Sequence, residues 1–154
     1  MEKPNTHQRK YLETQIKTAS KEKLLLMLYD GAIGFAEQAR KLIEDESTNN
    51  SEEINTNLIK SQRIIAELIS SLDFDKNRDV ATNLARLYGF IYQKFIEANL
   101  HKKSLDVAEG ITILKSLRET WKEAISGAES SSAVQAKPVP ASAPASHTPI
   151  SLQA

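Results

Sequence analysis

The sequence predicts an all-α fold: an antiparallel up-down four-helix bundle with an N-terminal arm and a disordered C-terminal tail. Proline is absent from residues 5–137, and proline scarcity over such a length favours long helices. Apolar residues recur at three- and four-residue steps in four successive segments, as on the buried face of a helix. Very few runs alternate apolar and polar residues in the manner of strands, so a sheet is not expected.

Two helical segments are predicted in the first half of the bundle. The first covers about residues 21–46, and the side-chain oxygen of Ser20 is free to cap it by accepting a backbone N–H. The second follows the polar break at residues 47–53, where Asn50 and Glu53 resemble a capping box. The expected core residues are Leu25, Leu28, Ala32, Phe35, Ala39 and Leu42 on the first segment, and Ile54, Leu58, Ile65, Leu68, Ile69 and Leu72 on the second.

Two further helical segments follow the polar turn at residues 73–79. The third ends near His101 and two lysines, and cations suit the C-terminus of a helix because the last carbonyls point at them. Ser104 can cap the fourth segment, and Gly127 is its expected stop. The expected core residues are Val80, Leu84, Leu87, Ile91, Phe95 and Ala98 on the third segment, and Val107, Ile111, Leu114, Leu117, Trp121 and Ile125 on the fourth.

The chain accordingly divides into three parts: an N-terminal arm (1–19), a four-helix domain (20–126) and a tail rich in Ala, Ser and Pro (127–154). The tail has too little apolar bulk to bury, so we expect it to be disordered. We treat it as a tolerated extension or a spacer.

Composition restricts the function. The net charge is zero, so the basic patch of a nucleic-acid binder is not expected. The absence of cysteine excludes disulfides, thiolate metal sites and a cysteine nucleophile. The longest apolar run covers residues 24–29, far short of the ~20 residues of a membrane span. The first residues have no apolar signal region. We expect a cytosolic protein without membrane insertion.

Catalysis is not expected, and neither is a cofactor or a metal. The three histidines lie in the arm, at a helix end and in the tail, so nothing predicts that they converge. Glu97 and His101 are four residues apart, whereas a di-iron bundle needs two Glu-x-x-His pairs with a spacing of three. A phosphotransfer bundle acting through His101 remains an alternative, although that histidine lies near a helix end rather than at mid-helix.

More apolar surface is present than a lone four-helix core can cover. A second line of apolar residues runs beside the core line of the third segment. Similar residues fall beside the core faces of the first and second segments, Ile59 among them. Aligned lines of this kind suit grooves that accept an amphipathic helix. The predicted partner-binding residues are Leu26, Tyr29, Ile33, Ile64, Tyr88, Tyr92 and Ile96.

The arm and two glycines suggest how such a groove could be used. Tyr11 and Ile16 are the main apolar side chains of the arm, so they could cover the groove until a partner arrives; the arm could equally be a disordered leader. Gly31 and Gly34 each cost about 1 kcal/mol within a helix. They either allow a close approach of another backbone or are merely tolerated surface glycines.

Five stretches between residues 10 and 126 form a specific combined pattern: Tyr11 with Gln15-Ile16 and Thr18-Ala19-Ser20; Glu22-Lys23-Leu24 leading into Met27-Leu28-Tyr29-Asp30-Gly31-Ala32-Ile33; Ile65-Ala66-Glu67-Leu68 with Leu72-Asp73-Phe74; Ala81, Asn83-Leu84, Leu87-Tyr88 and Glu97-Ala98-Asn99; and Trp121 with Ala124-Ile125. This pattern resembles the flagellar export chaperones that bind flagellin. Lys21 stands where that family often has proline, Gly34 stands where it often has a basic residue, and the long tail is outside its pattern.

The resemblance implies a helical bundle without catalysis, acting as a cytosolic chaperone of newly made flagellin. Its client would be the disordered C-terminal segment of flagellin, held in a one-to-one complex that prevents premature polymerisation. It also implies contact with components of the flagellar export gate. The competing hypothesis is a structural bundle that self-associates through the same apolar lines, as a stable dimer that persists when a partner is present. Self-association of the chaperone without its client is left open as well.

Overall fold

The computed structural model describes residues 6–47 and 49–134, and every regular element in that part of the chain is an α-helix. The expected all-α class is confirmed. The described helices number five rather than four, because part of the predicted arm is itself helical. Their bounds are Thr6–Thr18 for α1, Lys21–Glu44 for α2, Ser51–Ser70 for α3, Arg78–His101 for α4 and Ser104–Val134 for α5.

The helix starts show which capping predictions hold. Ser20 caps α2, and its hydroxyl accepts the backbone N–H of Lys23 at 3.3 Å. Asn50 occupies the N-cap position of α3, but its side chain makes no capping hydrogen bond. The predicted capping box is therefore wrong, since ψ of Asn50 is 16° instead of the extended value that aims a capping side chain at the first turn. Asn77 caps α4, and its side-chain oxygen accepts the backbone N–H of Val80 at 3.2 Å. The sequence analysis did not predict this cap.

Two helix ends behave differently from each other. Helix α4 ends close to the expected position, where Lys102 takes the left-handed conformation with φ 51° and ψ 46°. Helix α5 does not stop at Gly127 but continues to Val134. Gly127 has no positive φ, so it lacks the left-handed conformation of a helix-ending glycine. The predicted stop is wrong because one interior glycine costs a helix only about 1 kcal/mol.

Helices α2 to α5 pack in a closed cycle, in which α2 and α4 each contact both α3 and α5. Helix α1 forms no comparable interface within the described part of the chain. In each of three interfaces the residue numbers rise along one helix as they fall along the other. The pairs that show this are Ala32–Ser61 and Gly31–Ile64 for α2 and α3, Asp30–Arg118 and Glu37–Lys115 for α2 and α5, and Asn55–Asn99 and Gln62–Tyr92 for α3 and α4.

The buried stripe of α5 is the predicted one, from Val107 to Ile125. On α4 four of the six predicted core residues are buried, namely Leu84, Ile91, Phe95 and Ala98, while Ala81 and Tyr88 are buried in place of Val80 and Leu87. Tyr88 is buried, whereas Leu87 is exposed, so the expected core role of Leu87 is wrong. Tyr88 makes a contact in the core that a leucine has no group to make: its hydroxyl is hydrogen-bonded to the hydroxyl of Tyr29 on α2.

Candidate partner-binding surface

Two of the predicted groove residues lie in the core instead. Tyr29 is 0% exposed and Tyr88 is 1% exposed, and their hydroxyls are hydrogen-bonded to each other. The indole N–H of Trp121 donates to the Tyr29 hydroxyl at 3.1 Å. Burial raises the pKa of both tyrosine hydroxyls above its usual range. The expectation that Tyr29 and Tyr88 line a groove is therefore wrong for this arrangement, because they close a polar contact inside the bundle.

Tyr92 and Ile96 remain on the surface of α4. Tyr92 is 36% exposed and Ile96 is half-buried. They lie one turn apart on the side of α4 that faces α3, where the Gln62 side chain donates to the Tyr92 carbonyl at 3.4 Å. Ile59 of α3 is half-buried on the facing side. These three apolar residues define the α3–α4 groove.

The remaining predicted groove residues are half-buried. Leu26, Ile33 and Ile64 pack against the core from its margin. Leu26 also lines a cavity of about 390 Å³ between α1 and α2, together with Gln15, Ala19 and others. The structure therefore separates the seven predicted residues into two in the core, three at the core margin, and two in the α3–α4 groove.

The predicted cover residues are exposed to solvent. Tyr11 is 65% exposed and Ile16 is 51% exposed, both on α1. Their neighbour Leu12 is exposed as well, so α1 presents an apolar side of its own. In this arrangement neither Tyr11 nor Ile16 is buried against the bundle.

The two helix-interior glycines of α2 have different surroundings. A Cβ on Gly31 would lie 3.1 Å from Cδ1 of Ile64, so this glycine admits the close approach of α3. A Cβ on Gly34 would meet no atom within 4 Å. Gly31 thus serves packing inside the bundle, whereas Gly34 leaves an open surface on α2.

The structure shows a second apolar patch on α4 that the sequence analysis did not predict. Phe90 is 48% exposed and Leu87 lies one turn before it. The Lys94 ammonium is 5.4 Å from the centre of the Phe90 ring and pairs with Glu109 of α5 at 3.0 Å. That hydrogen bond raises the pKa of Lys94. The signal in the sequence was the spacing of three residues between Leu87 and Phe90, which places both side chains on one side of a helix.

A cavity of about 400 Å³ opens at the end of the bundle where α2 begins and α3 ends. We call it the end pocket. Its rim carries two cations and two anions, Lys21, Lys76, Glu22 and Asp73. Its apolar and aromatic lining comprises Leu24, Leu25, Leu28, Leu72, Tyr88 and Trp121.

Three observations on the described residues concern the histidines, metal sites and membrane spans. His101 is exposed at the last position of α4 and His7 is exposed on α1, while His147 lies outside the described range. Within residues 6–47 and 49–134 there is no group of three or more His, Asp or Glu side chains able to hold a metal ion. No helix in the same part of the chain has the length and apolar character needed to cross a membrane.

Comparison with known proteins identifies the family. The profile described as flagellar protein FliS matches residues 3–128. The flagellar secretion chaperone FliS of Bacillus subtilis is 32% identical over 115 residues, which is 75% of this chain and 83% of that protein. The protein of the same name from Salmonella typhimurium is 31% identical over 113 residues, or 73% of this chain and 82% of that protein. The resemblance found in the sequence is confirmed, and the chain belongs to the FliS family of flagellar proteins.

Proposed function

We propose that this chain is a cytosolic flagellar secretion chaperone whose client is the C-terminal segment of flagellin. It holds that segment in a one-to-one complex, prevents premature polymerisation and presents flagellin to the export gate, with no catalytic step. The observation that carries this function is the partly exposed pair Tyr92 and Ile96 in the α3–α4 groove. The family relationship supports the chaperone role.

The proposed architecture is an antiparallel up-down bundle of α2 to α5, between an N-terminal arm and a C-terminal tail. The opposed residue numbering of the interhelical contacts supports it. An up-down bundle leaves a long groove between each pair of neighbouring helices. Long grooves suit a client that is disordered when free, because such a client must cover much apolar area to offset the entropy lost on ordering.

Calorimetric titration of the full chain with the C-terminal segment of its own flagellin tests the client. We expect a saturable one-to-one isotherm with a large negative heat-capacity change, since apolar surface is buried as the client folds. Absence of both heat and a complex on a sizing column would reject flagellin as the client.

The groove is tested by the double substitution Tyr92→Asp and Ile96→Asp. We expect it to abolish client binding, because two carboxylates would lose hydration inside an apolar contact. The far-ultraviolet circular dichroism should stay at the parent level, since Tyr92 is already 36% exposed. Loss of helicity in the variant would assign these residues to the core instead.

The matched control for this experiment is the exposed pair on the other side of α4. Leu87→Asp with Phe90→Asp adds the same charge to the same helix at exposed positions. If this variant also loses the client, the client covers both sides of α4. If it loses only a tendency to form dimers, the second patch mediates self-association of the client-free protein, which sedimentation velocity would show.

The arm provides a separate test. If α1 covers a groove in solution, Tyr11→Asp with Ile16→Asp should strengthen client binding, because a competing occupant is weakened. If the arm is only a leader, the affinity should stay unchanged. The described arrangement holds both side chains largely exposed, so the cover is a proposal about a second arrangement of α1.

A further inference from the structure

We propose that residues 149–152 of this same chain, Pro149-Ile150-Ser151-Leu152, occupy the end pocket. The client-binding function is not needed for this contact. Three features carry it: the chemistry of the pocket, the chemistry of the segment, and the place where α5 delivers the chain.

The pocket suits a short apolar segment without charge. Its volume of about 400 Å³ lies in the ordinary range for a small binding site. Leucine side chains and the indole of Trp121 supply its walls, and the two cations of its rim balance the two anions. Because the charges of the rim balance, a charged occupant would meet no excess of opposite charge there. A neutral apolar occupant gives up only its contact with water.

The segment has that chemistry. Ile150 and Leu152 are the only isoleucine and leucine in residues 127–154. Their spacing of two places both side chains on one face of an extended chain. Pro149 fixes its own φ and biases its predecessor toward extended backbone, so less conformational entropy is lost on docking. No residue from 138 to 154 is Lys, Arg, Asp or Glu, which matches the balanced rim.

Helix α5 delivers the chain to the correct end of the bundle. Lys115 pairs with Glu37, and Arg118 pairs with Asp30, so α5 advances toward the start of α2. Trp121 lines the pocket itself. Val134, the last described residue, lies about 20 Å further along the helix axis, at 1.5 Å per residue.

The chain between Val134 and Ile150 is long enough to return. Its 16 steps span about 50 Å at the ~3.1 Å per residue of extended proline-rich backbone, which is more than twice the distance to be recovered. The stretches between Pro140, Pro144 and Pro149 consist of Ala, Ser, Thr and His, so the chain can reverse there. An intramolecular partner acts at an effective concentration on the order of millimolar, so even a weak apolar contact is populated.

The test uses the absence of cysteine in the chain. The substitution Gln153→Cys gives a unique position for a nitroxide spin label, beside the two anchors but not at them. In methyl-resolved NMR of the full chain we expect the label to broaden the signals of Leu24, Leu25, Leu28 and Leu72 selectively. Leu105 lies at the start of α5, at the opposite end of the bundle, and should keep its intensity.

Two variants of the labelled chain serve as a matched pair. Ile150→Asp with Leu152→Asp should restore the pocket signals several-fold. Ala143→Asp with Ala145→Asp adds the same charge outside the anchors and should leave the broadening intact. Both pairs lie outside the described helices, so neither variant changes a residue of α1 to α5.

The remaining outcomes overturn the assignment. Broadening that is absent, spread evenly over the surface, or insensitive to Ile150→Asp with Leu152→Asp would show that the segment does not occupy the pocket. Broadening found only when spin-labelled and isotope-labelled molecules are mixed would place the segment in the pocket of a second copy.

Discussion

At the scale of single residues, Gly110 is the glycine of the described helices with the least room for a side chain. It is buried where α5 crosses α4, and an added Cβ would lie 2.9 Å from Cζ of Phe95 and 3.3 Å from Cγ2 of Ile91. Phe95 is fully buried and cannot turn aside without disturbing its other neighbours. The glycine therefore sets how closely α4 and α5 approach each other.

We expect Gly110→Ala to lower the free energy of unfolding by about 1–3 kcal/mol, the usual cost of overpacking. Urea denaturation gives this value directly. Gly89→Ala is the control, because its Cβ would meet no atom within 4 Å and alanine favours a helix over glycine by about 1 kcal/mol. Equal stability changes of the same sign in both variants would contradict a specific clash at Gly110.

The buried hydroxyl cluster predicts an asymmetry between its two tyrosines. Tyr29→Phe removes the hydroxyl that both the Tyr88 hydroxyl and the Trp121 indole contact, whereas Tyr88→Phe leaves the Trp121–Tyr29 bond in place. Each orphaned buried group costs about 1–3 kcal/mol, so Tyr29→Phe should be the more destabilising change in chemical denaturation. Tyr92→Phe, at an exposed position, should be close to neutral. A larger loss for Tyr88→Phe would mean that Tyr29 is not the centre of the cluster.

At the scale of the helix, α5 shows what a sequence pattern can predict. Its apolar residues fit a single stripe, and the structure buries that stripe as expected. On α4 Leu87 and Tyr88 both fit a three- and four-residue spacing, so periodicity cannot choose between them. The structure buries Tyr88, whose hydroxyl is hydrogen-bonded to Tyr29 of α2, 59 residues away in the chain.

The candidate site was harder to predict for the same reason. Tyr92 and Ile96 lie beside the core stripe of α4 whether Leu87 or Tyr88 is assigned to the core. The helical spacing therefore placed them correctly on the margin of the stripe. Tyr88 and Tyr29 look like surface tyrosines until their mutual hydrogen bond is known. Phe90 was overlooked because Leu87, one turn before it on the same side of α4, was assigned to the core.

Helix α1 leads to a prediction about local stability. It has 13 residues, and an isolated helix of that length is marginal in water. Because it lacks a packed interface like those of the other helices, we expect its amides to exchange with deuterium much faster than those of α2 to α5. Mass spectrometry of the exchanging protein measures this. Slow exchange in residues 6–18 would instead show that α1 is packed in solution.

At the scale of the whole molecule, the two buried tyrosines predict an alkaline limit to stability. Their pKa is raised in the folded state, while in the unfolded chain a tyrosine ionises near pH 10. The stabilising contribution is therefore complete below about pH 10 and declines above it, as the unfolded state loses protons that the folded state retains.

We expect the free energy of unfolding to fall above about pH 10, by up to ~1.4 kcal/mol per pH unit for each buried tyrosine. Tyr29→Phe should make this decline shallower, and Tyr92→Phe should leave it as in the parent. Denaturation by urea at a series of alkaline pH values provides the comparison. An identical slope in the parent and in Tyr29→Phe would show that the cluster does not control alkaline unfolding.

The N-terminal and C-terminal extensions join the bundle at the same end, and this has a mechanical consequence. The arm joins α2 at the end of the bundle where the chain leaves α5. Helices α2 and α5 pack against each other. Force applied to both extensions would therefore peel α2 from α5, beginning near Tyr29 and Trp121. The contacts between α2 and α5 would break one after another. In a shear geometry, by contrast, all of them would bear the force at the same time. A molecule with this geometry should yield to a pull on its two extensions at a lower force than one whose helices must slide past each other.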